Sequence, residues 1–250
     1  MSTKELTGKV ALVTGAAKNI GRSIALSLAA DGAAVGVNTR ASRNEADAVA
    51  KQIRDGGGRA EVFMADVADP AAVEAMVAGA IAKFGRLDIL VLNAAHRNEV
   101  PFLDMSFEEW RRVMSVTLDS TFHCIKAALP HLIKAGGGDI ITFGGAKALS
   151  SSANRVHVAA AKHGVVGLTR TLAKEVAGYG IRVNCVSPGP INTSRPASRA
   201  DHKMTASDIP LGRLGGPDEI AAMVSFLCGP GGKFITGQTL HVNGGTQMTS

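Results

Sequence analysis

Cysteine is scarce in this chain, and its placement excludes the chemistry it usually brings. Cys124, Cys185 and Cys228 are odd in number, far apart and never spaced Cys-x-x-Cys, so neither a disulfide framework nor a zinc site is indicated, and a reducing compartment fits. Aromatic residues make up 4% of the chain, with one tryptophan and one tyrosine, Tyr179. No apolar run approaches the roughly 18 residues of a membrane span, and the start, Met1 to Lys9, has no apolar signal region. A cytoplasmic protein with no membrane partner is expected. Charge of one sign is not concentrated either: 27 Lys and Arg against 21 Asp and Glu give +6, but the basic residues are scattered. No run resembles a nucleic-acid arm, so no nucleic-acid partner is expected, and the excess reads as solvated surface or as attraction for an anionic cofactor or substrate.

What is present is apolar patterning. With 250 residues and 46% hydrophobic composition, the chain can bury a sizeable core in one α/β domain, residues 1–250. Short apolar runs alternate with longer helical patterns, the signature of βαβ units around a parallel sheet. The expected strands are Val10 to Thr14, Ala34 to Asn38, Ala60 to Ala65, Ile89 to Asn93, Asp139 to Phe143, Arg182 to Ser187 and Thr239 to Asn243. Ile20, Ile24 and Leu28 share one helical face, and Val73, Val77, Ile81 and Phe84 another; both stripes read as core. Ser106 and Glu109 form an expected capping box ahead of a long pattern through Met114, Leu118, Ile125 and Leu129. The least patterned stretch, Pro190 to Pro210, reads as a mobile substrate lid.

The first motif with chemistry is Thr14-Gly15-Ala16-Ala17-Lys18-Asn19-Ile20-Gly21, directly after the first strand. Amides at a helix start point toward an incoming pyrophosphate, and small residues let it approach. The adenosine ribose lies where the second strand ends, and there the chain has Asn38-Thr39-Arg40-Ala41-Ser42 with no carboxylate. Arg40, with Lys18 as a second cation, favours a 2′-phosphate, so NADP(H) is expected over NAD(H).

These segments resemble the classical short-chain dehydrogenase/reductases over roughly Leu6 to Gly245, with closest likeness to 3-oxoacyl-carrier-protein-reductase-like members. The turn resembles Thr-Gly-x-x-x-Gly-x-Gly, with Asn19 in place of the middle glycine; Asn tolerates left-handed backbone better than most residues. Asp66-Val67 resembles the adenine-contacting pair, and Leu92-Asn93-Ala94-Ala95 the Asn-Asn-Ala-Gly segment. Pro188 to Thr193 resembles the Pro-Gly-x-x-x-Thr turn, so Pro188, Ile191 and Thr193 are implied to hold the nicotinamide carboxamide, and Gly237 to Gly245 resembles the last strand. The resemblance implies a single-domain, doubly wound Rossmann fold with a seven-stranded parallel sheet, and a homotetramer packed through two long helices and the C-terminal segment.

It also implies a tetrad of Asn, Ser, Tyr and Lys, and only the lysine is kept, as Lys162. The tyrosine position is Val158, the serine position thirteen residues earlier is Gly145, and the asparagine position is Thr117. No register slip restores the tyrosine, because Tyr179 falls at a helix end far from the nicotinamide. Lys162 is then a ribose ligand with no phenol to activate. A positioned general acid contributes about 10²- to 10⁴-fold, roughly 3 to 5 kcal/mol of barrier, so ordinary ketone reduction should be crippled. The lost bulk implies a larger, more apolar pocket. His96, at the end of the fourth strand, leads the substitute donors, with a loop-satisfied role as the alternative. His157 neighbours the vacant position but points about 100° away if the helix has begun, and Ser150, Ser151 and Ser152 lie nearby in sequence.

Three readings follow, in order of preference. The first is an NADP(H)-dependent oxidoreductase with a non-standard mechanism, reducing an iminium or conjugated alkene. The second is a silent cofactor-binding sensor, and the third a non-redox catalyst in the enlarged pocket. A small-molecule substrate is expected, and Arg195, Arg199, His202 and Lys203 in the lid suit one that is anionic or carrier-linked.

Overall fold

The computed structural model describes residues 4–194 and 206–248. Seven parallel strands form one sheet in the order β3-β2-β1-β4-β5-β6-β7: β1 (Val10–Val13), β2 (Ala34–Thr39), β3 (Ala60–Met64), β4 (Ile89–Leu92), β5 (Gly138–Phe143), β6 (Ile181–Pro188) and β7 (Thr239–Val242). Each begins and ends within one residue of the run read from the sequence. The central strands are buried throughout, and β1 and β4 apolar throughout, because helices cover both faces, which also makes their boundaries legible.

On one face pack α1 (Asn19–Ala30) and α2 (Arg43–Asp55) with α8 (Pro217–Cys228), through Ile24, Leu28, Val49, Val224 and Leu227. On the other lie α3 (Pro70–Phe84), α5 (Ser120–Lys134) and α7 (Val156–Val176), through Val73, Val77, Ile125, Leu132 and Ala173. Helix α3 starts cleanly because Pro70 follows Asp69, whose carboxylate accepts from Ala71 N at 2.9 Å. Between α4 (Phe107–Met114) and α5 the backbone runs as a π-helical turn, Ser115–Asp119; the sequence pattern, being continuous in apolar residues, gave no sign of it. The short α6 (Ala146–Leu149) follows β5.

The chain order reverses between β1 and β4, so a crevice opens beyond their carboxyl ends. At the opposite end, buried Asp88 accepts from Val10 N, Lys9 Nζ and Arg86, fixing the two strands against each other. Tyr179, the one tyrosine of the chain, lies just before β6, exposed and at the end of the sheet away from the crevice.

Candidate functional site

The glycine turn sits at the β1/β4 reversal. Gly15 adopts φ +61°, and a Cβ on Gly21 would meet Gly15 O at 2.2 Å, so only glycine lets α1 start this close to β1. Asn93 Nδ2 clamps the turn from β4, donating to Thr14 O at 3.1 Å and Gly15 O at 3.0 Å. Thr14 Oγ1 accepts from Ala94 N at 3.1 Å. Asn19 takes φ +50°, the left-handed geometry expected of its glycine-replacing position. Its side chain accepts from Ser194 N and Oγ and donates to Ser194 O. No side chain caps α1 and no carboxylate lies in its first turn, which leaves its leading amides available for an anion.

Several residues expected to line this site instead spend their side chains on the fold. Buried Asn38 donates to Phe63 O and Ala65 O and accepts from Gly15 N; an amide sealed between strands must satisfy all its groups internally. Val67 and Ile191 are buried in the apolar core, and Ile20 packs against it half-buried. These positions offer backbone only. Pro188 ends β6, and Thr193 follows half-buried. The two expected phosphate cations are exposed and paired with acids: Lys18 lies 2.7 Å from Glu45, and Arg40 lies 3.4 Å from Asp66. Exposed pairs contribute about 0–1 kcal/mol and are easily exchanged for a stronger anion.

Lys162 reaches from α7 to the end of β5, buried, its Nζ donating to Phe143 O at 2.6 Å. Burial pushes its pKa down to about 8, aided by the Arg97 guanidinium and opposed by Cys185. One turn earlier Val158 is only 2% exposed, packed with Val113, Ala148 and Ala161. The enlarged apolar pocket expected over this position is therefore corrected: α4, α6 and α7 close on the missing phenol's place. Gly145 is different, since a Cβ there would meet nothing within 4 Å. Ser150 and Ser151 are exposed and Ser152 half-buried, with Ser151 at φ +69°. Arg195, Arg199, His202 and Lys203 of the expected lid lie outside the described residues.

Thr117, expected at the asparagine position, falls inside the π-helical turn, buried. Its Oγ1 accepts from His96 N at 3.3 Å and donates to His96 O at 3.2 Å. The capping box expected at α4 is half-formed. Ser106 Oγ accepts from Glu109 N at 3.1 Å, but the Glu109 carboxylate turns inward to His96 and His157, which outcompete an exposed amide. The sequence held a signal for this: Glu109 lies four residues before fully buried Val113, on the same helix face.

The chain matches the family model described as Enoyl-(Acyl carrier protein) reductase over residues 15–247. It is similar to the 3-oxoacyl-[acyl-carrier-protein] reductase FabG of Escherichia coli (strain K12), 41% identical over 243 residues, 96% of this chain and 98% of that protein. Among solved structures, a dehydrogenase/reductase from Sinorhizobium meliloti 1021 is similar with TM-score 0.92 and 35% identity over 98% of each chain. A short chain dehydrogenase from Burkholderia cenocepacia J2315 in complex with NADP gives 0.91 and 36%, covering 97% of this chain and 99% of that one. The reversed sheet order, the clamped glycine turn and these full-length likenesses lead to one conclusion: the chain belongs to the classical short-chain dehydrogenase/reductase family, among its 3-oxoacyl-[acyl-carrier-protein]-reductase-like members.

Proposed function

We propose that this chain is an NADP(H)-dependent oxidoreductase that reduces a conjugated alkene or an iminium rather than a simple ketone. The reading is supported by a split: the clamped glycine turn and buried Lys162 are present, while Gly145 and Val158, at the positions that resemblance gives to the family's serine and tyrosine, carry no hydroxyl. The bound nicotinamide supplies hydride. The α1 amides, Gly15 and Gly21 would hold the pyrophosphate, Arg40 and Lys18 the 2′-phosphate, and Lys162 the ribose hydroxyls in place of Phe143 O. Asp66 and the Val67 backbone would hold the adenine, and Asn93, Ala94 and the Pro188–Thr193 turn the nicotinamide.

A ketone reduced here would leave an alkoxide with no phenol to protonate it and no serine to hold it, a loss of about 10²- to 10⁴-fold. An iminium needs no proton on receiving hydride, and a conjugated alkene delocalises the arriving electron pair into its carbonyl. The relatives named as acyl-carrier-protein reductases support an anionic, carrier-linked substrate. A homotetramer is part of the reading, supported by apolar side chains left exposed on α5 and α8.

The test is cofactor oxidation with NADPH and NADH against a cyclic enone, a 2-enoyl thioester, a preformed cyclic iminium and a saturated ketone. NADPH oxidation with an enone, thioester or iminium, and far slower turnover of the ketone, is expected. Tight NADPH binding with no turnover of any substrate would make the chain a cofactor-binding sensor, and tighter NADH binding would overturn the cofactor assignment.

A further inference from the structure

Beside the vacant tetrad positions lies a buried polar cluster with no part in nucleotide binding. Glu109 enters it from α4, His157 from the first turn of α7 and His96 from the loop after β4. The Nε2 atoms of His96 and His157 stand 3.5 Å and 3.7 Å from the same oxygen, Glu109 Oε1. That oxygen and both His157 ring nitrogens are buried without a well-formed hydrogen bond. Such groups are costly to bury, and an apolar residue would fill position 157 at lower cost if packing were the only demand. Two imidazoles facing one carboxylate oxygen are suited to holding and passing a proton.

The altered tetrad supports the cluster. Thr117, standing where the family has asparagine, pins the His96 backbone from both sides with one hydroxyl. Val158, next to His157, is aliphatic and brings no rival donor to Glu109. The charged neighbours are few. Arg97 and Glu99 follow His96, Arg155 precedes α7 and pairs with Glu99, and Lys162 lies further along α7. Burial, then Arg155, push the His157 imidazole below its usual range against the pull of Glu109. His96 is 19% exposed and His157 fully buried, so a shared positive charge is less costly on His96.

We propose that His96, Glu109 and His157 are the proton-supplying group of this crevice, with His96 as the catalytic acid and the other two as positioning residues. The proposal rests on the oxidoreductase reading and narrows its substrate to an alkene conjugated to a carbonyl. The bound nicotinamide would supply hydride, with its electron pair, to the carbon β to the carbonyl, leaving the alkene π pair in the carbonyl as an enolate. A His96 ring N–H bond then breaks as the α C–H bond forms, its electron pair staying on the imidazole. Glu109 stabilises the imidazolium before transfer, and solvent restores the proton afterwards. A preformed iminium, by contrast, takes hydride to a neutral amine and draws no proton from the cluster.

Two measurements test this on the full chain. In ring-¹⁵N spectra without cofactor, His96 and His157 should titrate together, and Glu109→Gln should uncouple them and move the His96 midpoint to lower pH. In turnover with NADPH, His96→Gln should cut enone or 2-enoyl thioester kcat about 10²- to 10⁴-fold and remove the fall in rate at alkaline pH. Iminium reduction, which takes no proton from the cluster, should fall far less, and the NADPH dissociation constant should match the parent's. Glu109→Gln, nearly isosteric, should lower kcat with KM kept and shift that alkaline limb down in pH. Unchanged enone kcat and alkaline limb in His96→Gln would overturn the proposal while leaving the oxidoreductase reading intact. If the parent turns over no substrate, that reading fails and the narrowed substrate with it; independent titration of the two rings would then remove the cluster as well.

Discussion

Lys162 is the residue where the altered site meets folding energetics. Its ammonium is buried, and its pKa is pushed from 10.5 down to about 8. Below about pH 8 it is charged in both folded and unfolded chains, so the full burial penalty opposes folding. Between about 8 and 10.5 the folded form has shed the proton that the unfolded form keeps, so this group's contribution to stability rises with pH. Lys162→Met should remove that rise, read as the difference between parent and variant denaturation midpoints across this range without cofactor. The same substitution should weaken NADPH binding. The tetrad positions invite the reverse experiment. Gly145→Ser meets no atom within 4 Å but strains a backbone at φ +159°, and Val158→Tyr must force a phenol among Val113, Ala148 and Ala161, costing about 1–3 kcal/mol. The double variant should fold with a lowered melting temperature and gain ketone reduction over the parent. No gain would mean that Thr117 also holds the site in its new form. That Val158 lies four residues before Lys162, Gly145 thirteen before that, and Thr117 in the segment after Trp110 was legible in the sequence, and resemblance assigned these positions to the tetrad. The side-chain partners were not: that Asn38 is consumed between strands, or that Glu109 faces two imidazoles, depends on contacts between segments far apart in the chain.

At the scale of elements, the strand ends were legible because each buried apolar run stops where the chain turns polar at the crevice. The helix joining them to the tetrad was less so. A π-helical turn at Ser115–Asp119 shifts the phase between α4 and α5, and apolar spacing alone tolerates that shift; its consequence is to hold Thr117 against His96. The end of β2 carries the clearest element-level prediction. The residues that end β2 and follow it, Asn38 to Ser42, carry no carboxylate of their own, and Arg40 sits in an exposed pair with Asp66. Arg40→Asp should lower the ratio of NADPH to NADH affinity about 10- to 100-fold, the worth of a charge-assisted bond to phosphate of roughly 1.5–3 kcal/mol, now replaced by repulsion. Titrating both cofactors into parent and variant checks it, and an unchanged ratio would move the 2′-phosphate site away from β2.

The whole molecule leaves apolar surface on both sides of its sheet. Phe122 and Ile133 are exposed on α5, while Phe226 on α8, Phe234 and Met248 are exposed around β7. Because α5 and α8 cover opposite faces of the sheet, these patches cannot be buried by a single two-fold contact. Two different isologous contacts close into a D₂ tetramer. Native mass measurement should give four chains per particle. Phe234 projects wholly into solvent, so Phe234→Asp removes nothing from the monomer's core and should split the particle into dimers without altering its far-ultraviolet circular dichroism. Phe122→Asp should likewise give dimers, through the other contact, and the two changes together should give monomers. A parent particle of one chain would instead mean that these patches meet a different partner, and a tetramer indifferent to both substitutions would put its contacts elsewhere on the fold.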